Sequence, residues 1–483
     1  MSRPYSGAEP IGRALGLLLL LTATVEAQQP WPAESPGQAT YLTAIEGPGA
    51  NDFYVDLSGA SWNASTRTLW LVRSGPDFWT SKMWAVVEDG SGGFEVDYRN
   101  GLRGEWTGFG DAEGVTQADW SDDVVYLILE GQERIREYDV STYGTATVLN
   151  DWDTSPYLPS RGNMGAEGIA FVPDAFLSAA GFVDESGAPY VSSGGLGGLM
   201  FVGHQNGGNI YVFDLDRVSG TVTFVGEYQT GYDETAALEF DRSSGLLYVW
   251  HDELHDILSV LDLTSADVPG MGYRRFNIVE SYFGPSHSNY EGLALVSGSD
   301  CQGEGRSLFM TIDDGGAFAL AWYQDFSPGC EAEAAFCAGD GTGSPCPCGN
   351  LGAPGEGCAN STGSGALLST SSSSSVSSDD LTITLTQGPA GVPAIVFAGP
   401  GAANGGLGSP LGDGLLCVGG PIQRLGVVFL DGAGAGTWGP GLAPLGGWTA
   451  GETRHLQGWY RDNAGPCGGG TNTSPATTLT FLP

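Results

Sequence analysis

Short apolar runs of four to six residues, separated by clusters of Gly, Asn, Asp and Ser, fill most of the first 325 positions of this 483-residue chain. Runs of this length, rich in Val, Tyr, Trp and Phe, read as strands, and no stretch of about 12 residues carries helical periodicity. They recur in a fixed order. A small turn opens each unit, at Ser58-Gly59-Ala60, Glu113-Gly114-Val115, Glu167-Gly168-Ile169, Ala236-Ala237-Leu238 and Glu291-Gly292-Leu293, with first residues 55, 54, 69 and 55 positions apart. A second run follows at Leu69–Val72, Val125–Leu129, Leu199–Val202, Leu247–Trp250 and Leu308–Ile312. A third ends in aspartate in three units, at Ile135–Asp139, Ile210–Asp214 and Leu258–Asp262.

A four-stranded antiparallel meander repeated every 55 residues or so predicts a propeller blade, an element that buries its faces only against its neighbours. The expected fold is all-β: a five-bladed β-propeller, with six blades as the alternative and a β-sandwich with a chance repeat as the competitor. Insertions at 173–197 and around Cys301 account for the uneven spacing. The stretch Tyr41–Ile45 has no unit of its own and is expected to supply the outer strand that closes the ring.

From about Glu331 the composition changes to Gly, Ser, Pro and Cys. The serine run Ser371–Ser375 resembles a linker, yet it leads into the alternating strand Leu381–Leu385. Further strands are predicted at Ile395–Ala398, Leu425–Leu430, His455–Tyr460 and Thr477–Phe481. This is the pattern of a small β-sandwich, spanning 331–483 after a propeller at 28–330. Before both, Arg3 and Arg13 precede the apolar run Leu15–Leu21, and Val25-Glu26-Ala27 offers a small-x-small cleavage site. That run is too short to span a bilayer, so residues 1–27 are expected to be a signal peptide. No later segment approaches transmembrane length, and the expected location is secreted, cell-surface or periplasmic.

All eight cysteines fall between Cys301 and Cys467, so the first 300 residues must hold together by packing. An even count in an exported chain favours disulfides. Cys346-Pro-Cys348 lacks the C-x2-C spacing of zinc ribbons. A Cys301–Cys330 bridge is expected to clamp the ring junction, with Cys417–Cys467 a plausible pair in the sandwich and the other four left open. The net charge is −38, and Lys82 is the only lysine. Such a surface repels nucleic acid and anionic lipid and attracts cations. A monomer without membrane insertion is expected.

Propeller geometry makes this charge local. The first strand of each blade lines the channel and the second runs antiparallel beside it. The residues opening strand one (Ser58, Glu113, Glu167, Ala236, Glu291) and ending strand two (Ser74, Glu130, His204, Asp252, Asp313) therefore emerge on one rim. Six carboxylates, Glu113, Glu130, Glu167, Asp252, Glu291 and Asp313, converge there with one histidine. Crowded carboxylates raise each other's pKa, and a bound cation relieves the repulsion. Calcium suits them, taking six to eight oxygen ligands in flexible geometry. Alternatively each glutamate satisfies backbone N–H groups of the next turn and only locks the blades.

The phrases LSGASWNASTRTLWLV, GFGDAEGVTQ, NMGAEGIAF, LEFDRSSGLLYVWHDE and NYEGLALV resemble successive blades of the SdiA-regulated propeller family, and nearly as well those of the phytase-like esterase propellers. The resemblance covers roughly residues 50–325. It implies an exported propeller that binds calcium at its channel mouth, with Glu113, Glu167 and Glu291 on the matching Glu-Gly turns. Ala236 departs from the pattern. The segment FCAGDGTGSPCPCGNLGAPGEGCAN, with GDGLLCVGG and WYRDNAGPCG, resembles a C-terminal module of secreted planctomycete proteins.

His251-Asp-Glu-Leu-His255 is a false zincin motif: its glutamate is misplaced, and at a strand end two histidines four apart do not share a face. No G-x-S-x-G occurs. The sequons at Asn63, Asn360 and Asn472 read as loop polars. His204 and His287 are the candidate bases should the mouth hydrolyse an ester or lactone. The leading expectation is a calcium-binding propeller that recognises a small-molecule or extracellular ligand at its acidic mouth. The rivals are a calcium-dependent hydrolase of esters, lactones or phosphoesters, and a purely structural surface module.

Overall fold

In the computed structural model, residues 28–46, 52–75, 81–159, 164–252, 255–285, 289–301, 305–313, 315–330, 335–371, 374–377 and 379–481 are described. The expected signal peptide, residues 1–27, lies outside them. The repeat is a five-bladed propeller. Blade one comprises Leu57–Asn63, Thr68–Arg73, Lys82–Glu88 and Glu105–Thr107, with Phe94–Val96 as an extra edge piece. Blade two is Ala112–Thr116, Val124–Leu129, Arg134–Asp139 and Thr147–Asp153; blade three is Ala166–Pro173, Gly198–His204, Ile210–Leu215 and Val222–Gln229. Blade four is Ala237–Asp241, Leu246–His251, Ile257–Asp267 and Arg274–Phe283. Blade five takes three strands from Tyr290–Leu295, Arg306–Ile312 and Leu320–Phe326. Its fourth is Thr40–Tyr41, which pairs with Trp322 and Ala321. The ring thus closes as the sequence predicts, but the closing strand is only two residues, because Thr43–Glu46 coils into a single helical turn.

The apolar runs are continuous rather than alternating because both faces of each blade are covered. In Val124–Leu129, Val125, Leu127 and Leu129 pack towards blade one, while Tyr126 and Ile128 pack towards blade three. Among the described residues one apolar cluster fills each of the five clefts between neighbouring blades. Side chains that alternate across a strand meet a different neighbour on each side. The insertion in blade three carries the short helix Asp174–Ala180, which ends on Gly181 in the left-handed region at φ 70°. Its Phe176 and Leu177 are buried in the cleft towards blade four.

Among the described residues, ion pairing is sparse in the interior, with one dominant case. Arg306 of blade five donates to the Asp241 carboxylate at 2.7 Å, to Tyr248 Oη at 2.9 Å and to the carbonyls of Pro328 and Val296 at 2.8 and 3.1 Å. Both members are buried, so the pair ties blade four to blade five with its hydrogen bonds filled.

The C-terminal region is a β-sandwich. One sheet orders Leu367–Ser371, Thr382–Thr386 and Gly436–Trp438. The other orders Gln423–Phe429, Pro393–Gly399, Thr453–Arg461 and Thr471–Thr480. A shared core that includes Ile383, Leu385, Val396, Leu456 and Trp438 lies between them. Cys301 bridges Cys330 as expected. The plausible Cys417–Cys467 pair does not form: Cys417 bridges Cys337, Cys348 bridges Cys467, and Cys346 bridges Cys358. Cys417 is fully buried beside Leu415, Val418 and Phe397. Cys467 instead sits in the turn between the last two strands, its N–H donating to Asp413.

Candidate functional site at the channel mouth

The opening turns place the acidic residues by a shared backbone device. In blades one, two, three and five the pairing between first and second strands slips at the opening turn, between Leu57 and Ala60, Ala112 and Gly114, Ala166 and Ile169, and Tyr290 and Gly292. Ser58, Glu113, Glu167 and Glu291 lie in these bulges, which re-aim the side chain out of the regular alternation. Blade four, with Ala236, has no slip from Ala237 to Asp241. The glycine after each opener is required by close approach. A Cβ on Gly59 would stand 2.5 Å from Glu113 O, one on Gly114 2.5 Å from Glu167 O, and one on Gly292 2.2 Å from Ser58 O. The bulges of blades one, two and five therefore rest on the next bulge round the ring, and Gly168 of blade three rests on the backbone of Ala237 and Leu238.

Charge interactions link the six predicted carboxylates at this rim. Burial pushes Glu113 up to about 8, with Glu130, Asp111 and Asp313 adding repulsion and the Ser58 hydroxyl pulling the other way. Glu167 is held well above the ordinary range by burial and by Glu113, Glu291, Glu130 and Glu234. Glu291 is raised likewise by burial, Glu113, Asp313 and Asp252. Glu130 is raised by burial while its Oε1 accepts the Gly165 N–H at 2.8 Å. Asp313 accepts from Asn289 Nδ2 at 3.1 Å. One carboxylate oxygen each from Asp111, Glu113 and Glu130 all lie within 4.8 Å of one another, and the two glutamates are buried.

Three acidic residues escaped the sequence reading: Asp111, Glu133 and Glu234. Asp111 had a signal, since it stands two residues before Glu113 at the same opening. Glu133 lies in a turn and reaches the mouth only because the chain folds back past Gly165, where a Cβ would meet Glu130 Cγ at 2.6 Å and Glu133 Oε1 at 2.8 Å. Burial and Glu130 push Glu133 up to about 7.

His204 ends its strand at this rim but is fully buried. Its Nδ1 accepts the Asn206 N–H at 3.1 Å, and its Nε2 lies 3.9 Å from Glu133 Oε1. It reaches the carboxylates through Glu133 rather than facing the opening. His287 lies outside the described residues. His251 is buried with Nδ1 2.7 Å from the Glu234 carbonyl, and desolvation lowers it to about 3, so it is neutral. The Tyr232 ring packs against both His251 and His255, with centroids 4.3 and 5.2 Å away.

No family model matches the chain, and no curated protein matches it. Among solved structures the chain is similar to a periplasmic gluconolactonase of Pseudomonas aeruginosa, at 17% identity over 48% of this chain and 55% of that one, with a TM-score of 0.28. It is also similar to a functionally unknown protein from Desulfotomaculum acetoxidans, at 11% identity over 53% and 63% of the two chains and a TM-score of 0.30. A third likeness is to a mitotic checkpoint complex, at 11% identity, 67% and 98% coverage and a TM-score of 0.29. The chain spans about half the length of the gluconolactonase. At these TM-scores none bears on activity.

Proposed function

We propose that the protein is an exported calcium-binding propeller that recognises a ligand at its acidic mouth. The observation that carries this is the convergence of Asp111, Glu113 and Glu130 within 4.8 Å with two of the three carboxyls buried. Buried carboxylates this close repel one another unless protonated or neutralised by a cation. The donor set is oxygen only, which suits a hard cation of flexible coordination. Asp111, Glu113 and Glu130 would hold the ion, with Glu167 and Glu291 beside them. The ion would supply positive charge that draws an anionic or carbonyl oxygen to the mouth. The resemblance of the Glu-Gly turns to SdiA-regulated and phytase-like esterase propellers agrees with this reading. Four disulfides, and the lack of a membrane-length apolar helix among the described residues, fit an oxidising compartment outside the cytoplasm.

Titration calorimetry of the full chain with calcium tests the proposal. A saturable heat at one site or more, lost when Glu113 and Glu130 are both changed to Gln, is expected. The absence of any heat with calcium would leave the glutamates as blade locks.

A further inference from the structure

Two buried aspartates meet in the C-terminal sandwich, in the segments GDGLLCVGG and WYRDNAGPCG, to which the channel mouth gives no role. Asp413 stands at the tip of the hairpin formed by Ser409–Leu411 and Gly414–Leu416. Asp462 opens the turn between Thr453–Arg461 and Thr471–Thr480. Backbone bonds fix both positions: Asp413 N donates to the Thr471 carbonyl at 2.8 Å, and Asp462 N to the Gly470 carbonyl at 3.0 Å. The two side chains face one space beside Gly465, where a Cβ would stand 2.2 Å from Asp413 Oδ2 and 2.8 Å from Asp462 Oδ2. Desolvation raises the Tyr460 hydroxyl, and both carboxylates push it the same way.

Among the described residues neither carboxylate forms an ion pair, although Asp413 is 0% exposed and Asp462 1%. Arg461, next to Asp462 in the chain, is exposed and lies over Trp459, 5.5 Å from the ring centroid. Three backbone N–H groups do point at the pair. Cys467 N donates to Asp413 Oδ2 at 3.0 Å, Gly469 N to Asp413 Oδ1 at 2.5 Å and Ser361 N to Asp462 Oδ2 at 2.9 Å. Such donors suit carboxylates that carry charge. Asp462 Oδ1 is buried with no hydrogen-bond partner. Buried charges are held by an opposite charge or by a metal, and only the second fits this pair.

We propose that Asp413 and Asp462 hold a calcium ion of their own, enclosed as the sandwich folds. Every cysteine is in a disulfide, so the donors are oxygen only, which selects a hard cation over zinc or copper. Calcium accepts carbonyls and water beside carboxylates in irregular geometry, whereas magnesium demands a regular octahedron. The ion ties together three chain segments, at Ser361, Asp413 and Asp462, and the Cys348–Cys467 bridge secures the same turn. Because both carboxylates are buried, the ion is retained through purification, unlike an exchangeable ion at the mouth. The site lies in the sandwich and stands independently of the reading of the propeller.

The test is elemental analysis of the full chain, expressed with calcium and then dialysed against calcium-free buffer. Protein carrying Glu113→Gln and Glu130→Gln, which disable the mouth, is expected to retain about one calcium per chain. Adding Asp462→Asn to it is expected to abolish that calcium. A mouth-disabled protein without calcium overturns the proposal, and so does a folded triple variant that keeps its ion. If the triple variant does not fold, hydrogen exchange on the unaltered protein decides. Prolonged chelation is expected to speed exchange at least ~10-fold at Ser361, Cys467 and Gly469, whose N–H groups rest on the two carboxylates. Unchanged exchange at those three amides overturns the proposal.

Discussion

Glu113→Gln should stabilise the calcium-free protein at neutral pH, although it removes a charge from the proposed site. The Glu113 carboxyl is raised from 4.5 to about 8 in the folded chain. Below pH 4.5 it is protonated in both states and contributes nothing to pH dependence. Between 4.5 and about 8 the unfolded chain releases the proton while the folded chain keeps it, so stability falls as pH rises. From 4.5 to pH 7, at 1.36 kcal/mol per unit, the loss is about 3 kcal/mol. Glu167 and Glu291, raised in the same direction, add to it. Glutamine keeps the shape and cannot ionise. In chelator at pH 7 the variant should therefore gain about 3 kcal/mol, or ~5 °C in Tm for a propeller of ~300 residues. Calcium reverses the comparison, because the ion favours the ionised carboxylates. Wild type should gain about 2.7 kcal/mol at 100 times the Kd, and the variant less. The assay is a set of thermal melts from pH 5 to 8, with calcium and with chelator. A variant that melts at or below wild type in chelator would refute the reasoning, since the glutamates would then hold the blades together through hydrogen bonds.

Other expectations follow from single contacts. Glu167→Gln should lower calcium affinity by at least ~10-fold, while Asp139→Asn, whose carboxylate accepts from Ser141 N, should leave it within about twofold; equal effects in calorimetry would point to blade packing. Arg306→Ala leaves Asp241 buried without its partner, and urea unfolding should show a loss of about 3–5 kcal/mol; a loss under ~1 kcal/mol would mean water replaces the guanidinium. Gly114→Ala places a methyl against the Glu167 carbonyl and the Ile128 and Ile169 side chains and should cost about 1–3 kcal/mol. An unchanged denaturation midpoint would show that the ring gives way there.

The strands and their order were legible because strand formation is local. Turn residues break the chain, and the apolar runs between them need a surface on both sides. The five Ser-Gly, Glu-Gly and Ala-Ala openings marked the blades. They also marked the mouth, since an opener's position on its strand sets its rim. Blade closure by residues before the first unit was readable because the stretch Tyr41–Ile45 has no unit of its own. What the residues could not show is anything that depends on a register slip or on two distant loops meeting. In the sequence the glycines of the Glu-Gly turns fit either a metal site or close approach of blades; in the structure the next blade's backbone leaves no room for a Cβ there. Asp111, Glu113 and Glu130 share a point in space because a bulge turns Glu113 and a strand end delivers Glu130. The Cys337–Cys417 and Cys348–Cys467 bridges span 80 and 119 residues. Many loop pairs of that separation are close in entropic cost, so only packing selects among them. Arg242 reads in the sequence as an ordinary turn residue. Only the ring brings Gln117, Ala118 and Trp120 of blade two beside it.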